Sequence, residues 1–197
     1  MKVTASDNIV VFRASEVAFL RAEGALRGWN MGGSPKDLYE AGIRLSFEEN
    51  NISSGVESYL ANTGKVEGYK DPLKGQSGQT YDYSGSINTT VTVAWAGGDF
   101  EKSLEQIITQ KWIANFPNGM ESWSEYRRTG YPKLVPMAAN ASSGIVDDTE
   151  GARRMPYPTD EYRENKESVE AAVSTLTQES KTKKGDSMAT HVWWDCK

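Results

Sequence analysis

The residues from Ser15 to Asn50 read SEVAFLRAEGALRGWNMGGSPKDLYEAGIRLSFEEN, and this stretch decides the fold class. Apolar residues recur in it every three to four positions, which is the spacing of one buried face of an α-helix. The recurring residues are Phe19, Ala22, Leu26, Trp29, Leu38, Ala41 and Leu45. The sequence therefore predicts two amphipathic helices that form an antiparallel hairpin over residues 15–50.

A short turn between the two predicted helices carries signals for the end of one helix and the start of the next. Asn30-Met31-Gly32-Gly33 supplies residues that tolerate positive φ, and such residues often end helices. Ser34-Pro35-Lys36-Asp37 supplies a side-chain cap, a proline for the first helical position and an acid for the first turn. Similar hairpins build tetratricopeptide-type repeats, which bury their apolar faces only by stacking on neighbours. Since one clear hairpin is present, we expect the chain to be part of a longer protein.

Residues 61–98 break the helical pattern and predict a long glycine-rich loop. Four aromatic residues lie in this loop, and no periodicity explains them: Tyr69, Tyr81, Tyr83 and Trp95. Long irregular insertions in compact proteins are usually functional or mobile. The loop is therefore a candidate recognition element.

Residues 99–130 predict two further helices. Asp99 is placed to cap the first of them, and apolar residues then follow at helical spacing. These residues are Phe100, Leu104, Ile107, Ile108 and Trp112. Pro117-Asn118-Gly119 ends this helix, and a second helix follows. We expect Trp112 and Trp123 to be buried in the core.

Residues 131–197 predict a long loop followed by one last helix over 165–176. Residues 187–197 are predicted to form a terminal tail that carries His191. Together, the predicted elements indicate a mostly α-helical fold, with tetratricopeptide-like helix pairs and long irregular loops.

The composition argues against several classes of function. Hydrophobic residues make up 38% and charged residues 25% of the 197-residue chain, as in ordinary soluble domains. The net charge of −5 disfavours nucleic acid as a partner, because nucleic-acid binding needs a basic face. No apolar run approaches the ~20 residues that a membrane-spanning helix needs.

Catalytic and cofactor motifs are missing from the sequence. It has neither a phosphate-binding P-loop nor a dinucleotide-binding fingerprint. His191 is the only histidine, and the predicted tail is a poor place to organise a catalytic dyad. The single cysteine, Cys196, excludes an internal disulfide and a cysteine-rich zinc site. We therefore expect no catalytic residue, no metal, no cofactor and no enzymatic activity.

The best candidates for ligand binding are Trp95, Tyr81 and Tyr83 in the glycine-rich loop. Aromatic rings stack on the C–H faces of sugar rings, and loops on a rigid scaffold commonly carry recognition. The competing explanation is that these rings pack on another part of a longer protein, or on a partner protein.

Two arginine pairs, Arg127-Arg128 and Arg153-Arg154, lie beside Tyr-Pro segments. Guanidinium groups suit phosphate or carboxylate ligands. The simpler interpretation, which we favour, is that these arginines tie loops to backbone carbonyl groups and to acidic side chains across the surface.

Several runs of sequence, taken together, resemble the C-terminal part of SusD/RagB-family proteins. In chain order they are SEVAFLRAE (15–23), ALRGW (25–29), LYEAGI (38–43), QKWIA (110–114), ESWSEYRRTGYP (121–132), RRMPYP (153–158), EY (161–162) with Asn165, and WWD (193–195). Each run is weak by itself. Their order and spacing over nearly the whole chain are specific to the family.

The resemblance implies a mostly helical, tetratricopeptide-like protein that is lipid-anchored at the outer-membrane surface of a Bacteroidetes-type bacterium. It implies capture of oligo- or polysaccharides without catalysis, and import through a SusC-like TonB-dependent transporter as the partner. Family members are much longer and begin with a signal peptide and a lipobox cysteine, so we expect a longer source gene. No ligand-binding position of the family is carried over to a residue of this chain.

Two other functions stay open from the residues alone. A helical-repeat module that binds another protein and no sugar would suit the single hairpin equally well. A glycan-active enzyme would need two carboxylates across a cleft. Adjacent acids such as Asp147-Asp148 point apart on a helix or strand.

Overall fold

The computed structural model describes residues 10–52, 54–65, 89, 91–136 and 140–195. Within them it has seven α-helices, in the order α1 (Ala14–Leu26), α2 (Pro35–Glu49), α3 (Val56–Leu60), α4 (Phe100–Ala114), α5 (Gly119–Thr129), α6 (Thr159–Glu164) and α7 (Lys166–Glu179). These described residues contain no β-strand, only an isolated bridge between Asp147 and Gly151. The predicted mostly α-helical fold is confirmed.

The described residues form two compact units. The first unit contains those up to Lys65 and those from Thr89 to Glu125, and the second contains those from Tyr126 to Asp195. Helices α1 to α4 belong to the first unit, and α6 and α7 belong to the second. None of the described helices is both long enough and apolar enough to cross a membrane.

The first unit is built on the predicted hairpin of α1 and α2. Ser34 caps α2 by accepting a hydrogen bond from the Asp37 backbone N–H at 3.1 Å, and Pro35 is the first helical residue. Gly42 lets the two helices approach closely, since a Cβ there would lie 2.8 Å from the Phe19 ring. Helix α4 packs against α1 and completes a buried core. The core residues are Phe19, Ala22, Leu38, Tyr39, Ile43, Ile107 and Ala114.

The end of α1 corrects the prediction for Trp29. The helix ends at Leu26, where the next glycine, Gly28, takes a positive φ of 85°. The Gly28 N–H donates to the Ala25 carbonyl oxygen at 3.0 Å. The Trp29 N–H donates to the Gly24 carbonyl oxygen at 2.9 Å. In this Schellman arrangement the glycine just beyond the helix lets the last carbonyl groups be satisfied, so Trp29 lies outside the helix and is 62% exposed.

In α4 the predicted cap is confirmed, whereas the predicted burial of Trp112 is wrong. The Asp99 carboxylate accepts a hydrogen bond from the Lys102 backbone N–H at 3.0 Å. Towards the end of the helix the buried side chain is that of Lys111, and Trp112 is 40% exposed. Successive residues of a helix point ~100° apart, so burial of Lys111 turns Trp112 to the edge of the packed face. Trp123, on α5, is half-buried.

The second unit corrects the prediction of a terminal tail. Thr190, His191 and Asp195 are among the most deeply buried residues of the described chain. Polar contacts hold these residues in place. For example, the Thr190 hydroxyl donates to the Gly185 carbonyl oxygen at 2.7 Å. Because polar contacts rather than an apolar stripe bury this segment, periodicity did not reveal it.

Candidate functional site

Of the predicted ligand-binding residues, Trp95 lies in the described part of the chain, whereas Tyr81 and Tyr83 lie outside the described residues. Trp95 belongs to residues 92–96, the Trp95 segment, which precedes α4 in the first unit. This segment is neither helix nor strand. Its backbone groups therefore need partners from other parts of the unit.

One buried side chain on α4 holds the Trp95 segment. Gln106 is 1% exposed, and its Nε2 donates hydrogen bonds to the carbonyl oxygens of Thr92 and Ala94 at 2.7 and 2.8 Å. Its Oε1 accepts a hydrogen bond from the Ala96 backbone N–H at 3.2 Å. Since a glutamine amide has two donor hydrogens, both are used here. Gln106 thus satisfies three backbone groups of the segment.

Two further contacts join the Trp95 segment to the first unit. The buried Tyr39, on α2, donates its hydroxyl to the Val93 carbonyl oxygen at 2.7 Å. Burial raises the pKa of Tyr39, so the hydroxyl keeps its proton and remains a donor at neutral pH. The Ala94 N–H donates to the carbonyl oxygen of Asn62, which follows α3, at 2.8 Å. The segment is therefore held from three places.

The Trp95 ring packs against the core while part of its surface stays exposed. Its centroid lies 5.1 Å from that of the Tyr39 ring, with the two rings inclined at 48°. Tyr39 in turn contacts Phe19 edge-on at 6.3 Å. Packing therefore sets the orientation of the indole before any ligand arrives, and a preorganised group loses little conformational entropy on binding.

Gly97 has to be glycine for two reasons that concern the same ring. It has a positive φ of 63°, which glycine adopts without steric cost. A Cβ at this position would also lie 3.2 Å from the indole Nε1 of Trp95. The glycine thus lets the backbone turn directly beside the ring.

A buried ion cluster lies elsewhere in the first unit. Lys111 on α4 is 1% exposed, and its Nζ is surrounded by the carboxylates of Glu125, Glu121 and Glu16 at 2.7, 2.8 and 3.6 Å. Burial raises the pKa of Glu16 in spite of the nearby Lys111, and the neighbouring Glu121 adds to the rise. Burial also acts to lower the pKa of Lys111, but the surrounding carboxylates outweigh it and raise that pKa. The cluster ties α1, α4 and α5 together.

The raised pKa of Glu16 makes stability depend on pH. Its folded-state pKa lies above the ordinary value of 4.5, so just above that pH the folded chain binds more protons than the unfolded chain. This contribution to the free energy of unfolding is complete below pH 4.5 and is lost as the pH rises through the folded-state pKa. We expect the urea midpoint of the wild type to fall over this range relative to that of Glu16→Gln. Midpoints that change in parallel for the two proteins would contradict the prediction.

In the second unit, arginines of the two pairs bind acids and backbone carbonyl groups, as favoured from the sequence. The expected surface location is wrong for Arg153 and Arg154, because both are buried. Arg153 is buried and forms a two-point ion pair with the buried Asp195, in which Nε donates to Oδ2 at 2.8 Å. The Arg127 Nη1 donates to the Arg153 carbonyl oxygen at 2.7 Å. The Arg127 guanidinium carbon also lies 4.7 Å from the ring centroid of Trp194.

A second carboxylate joins Arg154 to the loop that follows it. Asp186 accepts hydrogen bonds from the Arg154 guanidinium, from the Tyr157 backbone N–H at 3.1 Å and from the Tyr162 hydroxyl at 2.6 Å. Burial acts to raise the pKa of Asp186, but these hydrogen bonds outweigh it and lower that pKa. Contacts within the protein thus account for Arg154.

His191 serves the fold of the second unit. It is 2% exposed, and its Nε2 lies 2.6 Å from the Glu150 carboxylate, while its Nδ1 lies 3.1 Å from the Asp195 carbonyl oxygen. Both ring nitrogens are thus engaged by groups of the protein itself. Within the described ranges, no three side chains of the metal-binding types lie close enough to hold a metal ion.

The chain matches the model of one protein family over residues 1–195. The family is described as SusD-like, the SusD and RagB outer membrane lipoproteins. None of the curated proteins shows a significant match to the chain.

Solved structures of SusD homologues resemble the whole of the chain. One from Bacteroides ovatus is 88% identical with a TM-score of 0.89, and one from Bacteroides thetaiotaomicron is 50% identical with a TM-score of 0.84. Each match covers 100% of this chain and 40% of the solved chain. A chitin-binding homologue from Flavobacterium johnsoniae is 46% identical with a TM-score of 0.78, and the match covers 95% of this chain and 36% of the other. This chain thus spans about two-fifths of the length of these relatives.

Proposed function

Because the chain belongs to the SusD-like family of outer membrane lipoproteins, we propose that it is the C-terminal part of a non-catalytic protein that captures glycans at the outer-membrane surface. The whole protein is lipid-anchored and passes oligo- or polysaccharides to a SusC-like TonB-dependent transporter. The family description supports a place at the outer membrane, and the likeness to a chitin-binding homologue supports glycan capture. A transporter gene of the SusC type beside the gene for this chain would support the partner, and an unrelated neighbour would count against it.

The observation that carries this proposal is the way in which Trp95 is presented. The indole is part-exposed, and the segment around it is hydrogen-bonded from α2, α4 and the residue Asn62. A ring with a set orientation suits stacking on the C–H face of a sugar, because little freedom is lost when the sugar binds. Tyr81 and Tyr83, which precede it in the sequence, are proposed to add stacking surfaces.

Replacing Trp95 with alanine is expected to weaken glycan binding by roughly 10- to 100-fold, since loss of one stacking ring costs about 1–3 kcal/mol. Tyr81→Ala and Tyr83→Ala are expected to act in the same direction. The measurement is calorimetric titration of the full-length protein with soluble oligosaccharides. Chito-oligosaccharides are the first ligands to titrate, because one homologue binds chitin.

The matched control for this titration is Trp193→Ala. Trp193 is 89% exposed and is not one of residues 92–96, so its loss removes an exposed indole that is not part of the Trp95 segment. The control should bind as the wild type does. Unchanged affinity in the Trp95, Tyr81 and Tyr83 variants, with folding intact, would move the sugar site to another part of the longer protein.

A second candidate function, a protein-interaction module without sugar binding, is favoured by one observation. Four apolar side chains near the junction of α4 and α5 are exposed in this chain: Trp112, Ile113, Phe116 and Met120. Exposed apolar groups that cluster often mark protein interfaces. Affinity electrophoresis of the full-length protein in glycan-containing gels separates the two functions. Retardation supports glycan capture, whereas free migration in every glycan supports the interaction module.

A further inference from the structure

The backbone around Trp95 is held by a residue that lies too deep in the protein to touch a ligand. We propose that Gln106 is the positioning residue of this site, which sets the pose of the Trp95 ring by bonding the backbone on both sides of it. The inference rests on the proposed function, because it concerns the same site. It assigns Gln106 no contact with the sugar.

The hydrogen bonds of Gln106 enclose Trp95 in the sequence. Two of these bonds are made to residues before Trp95, at the carbonyl oxygens of Thr92 and Ala94. The third is made to the residue after it, at the Ala96 N–H. The two peptide groups that flank Trp95 are thus bonded to one amide group. A backbone rotation that would swing the indole has to break at least one of these bonds.

The other described contacts lie on one side of Trp95. The Tyr39 hydroxyl bonds Val93, and the Asn62 carbonyl oxygen bonds Ala94. Both of these residues precede the ring in the chain. Among the described side chains with a hydrogen bond to this segment from elsewhere in the unit, Gln106 is the one that reaches both sides.

Burial makes the contact of Gln106 rigid as well as specific. At 1% exposure the amide has no access to water, and a buried amide without partners is strongly disfavoured. The segment and Gln106 therefore separate only at a high cost in free energy. Its neighbour on α4, Ile107, belongs to the core, so the amide transmits the rigidity of the core to the backbone of Trp95.

The test replaces Gln106 with glutamate, which keeps the size and the acceptor but has no donor when it is ionised. The carboxylate would face the carbonyl oxygens of Thr92 and Ala94, and repulsion should displace the segment. Protonation on acidification restores one donor, so the displacement should reverse in part. Tyr39 also bonds this segment, and its raised pKa keeps it protonated throughout such a titration.

The first readout needs no ligand. The protein has six tryptophans. After fluorine labelling of the indoles, the Trp95 resonance can be assigned by its loss in Trp95→Phe. We expect this resonance to shift or broaden in Gln106→Glu at pH values where the new carboxyl is ionised, and to move back towards the wild-type position as acidification protonates it. A merely structural role would lower stability without a selective, reversible change at Trp95.

The second readout is glycan affinity. We expect Gln106→Glu to bind about tenfold more weakly than the wild type near neutral pH, a change that corresponds to about 1.4 kcal/mol, and to recover as the pH falls. Gln110→Glu is the matched control. Gln110 is buried one turn later on α4, where its Oε1 accepts a hydrogen bond from the Tyr59 hydroxyl at 3.0 Å. A carboxylate can still accept that bond, so the control should behave as the wild type in both readouts.

A neutral variant keeps the test decisive if Gln106→Glu does not fold. Gln106→Met has a similar length and lacks all three hydrogen bonds, so it should move the Trp95 resonance at every pH without recovery. An unchanged resonance and an unchanged affinity in both variants would overturn the inference. If Trp95→Ala alone leaves affinity unchanged, the proposed function fails at this site, and the fluorine resonance still decides whether Gln106 positions the ring.

Discussion

Replacing Asp195 with alanine is expected to lower the free energy of unfolding by about 3–5 kcal/mol. Asp195 is buried in the second unit, and both of its carboxylate oxygens bond the buried Arg153. The substitution leaves a guanidinium in the interior without its counter-charge. His191 loses the same carboxylate, which lies 3.3 Å from its Nδ1.

The urea midpoint, at an unchanged dependence on denaturant, measures this loss. Asp160→Ala is the matched control, because Asp160 forms an exposed ion pair with Arg163 at 3.2 Å and exposed pairs contribute little to stability. The double variant Asp195→Leu, Arg153→Met should recover much of the loss, since apolar residues often replace both partners of a buried pair at little cost. A single variant as stable as the wild type would show that the pair is not buried.

The second large effect is expected at Lys111. Replacing Lys111 with methionine should lower the free energy of unfolding by about 3–5 kcal/mol near neutral pH. The change removes the cation that lies between Glu16, Glu121 and Glu125, so the carboxylates repel one another across a buried space. Acidification protonates them, so the difference from the wild type should shrink as the pH falls.

Urea melts at several pH values check the Lys111 prediction. Lys102→Met is its matched control, because Lys102 is an exposed lysine on the same helix. The control should stay close to the wild type at every pH. A Lys111 variant whose loss of stability grows on acidification would contradict the account of the cluster.

Elements that depend on local chemistry could be predicted from the sequence. Ser34 and Asp99 cap α2 and α4 as expected, because a helix cap is a contact between residues three apart in the chain. Burial within a helix was predicted less well. Lys111 is buried and Trp112 is not, since acids from α1 and α5 stabilise the lysine, and hydrophobicity alone does not reveal partners from other helices.

The candidate site shows the same division between local and long-range contacts. Trp95 could be named from the sequence because no periodicity accounted for a large aromatic residue there. Gln106 could not be identified from the sequence, since its hydrogen bonds are made to backbone atoms 10 to 14 residues away. A polar side chain next to the apolar Ile107 on a strongly predicted helix was the available signal. His191 and Asp195 were missed for a related reason, because polar contacts bury them.

The contacts that tie the Trp95 segment to Tyr39, Asn62 and Gln106 are made to main-chain atoms of the segment. Main-chain groups are common to nearly all amino acids, so mutations at positions 93 and 95 leave these bonds possible. At positions 94 and 96 the backbone N–H donates a hydrogen bond, and proline, which has no N–H, would remove it. Natural variation, or a randomised library at 93 and 95, can therefore change the side chains that this segment presents one at a time while its backbone hydrogen bonds are kept.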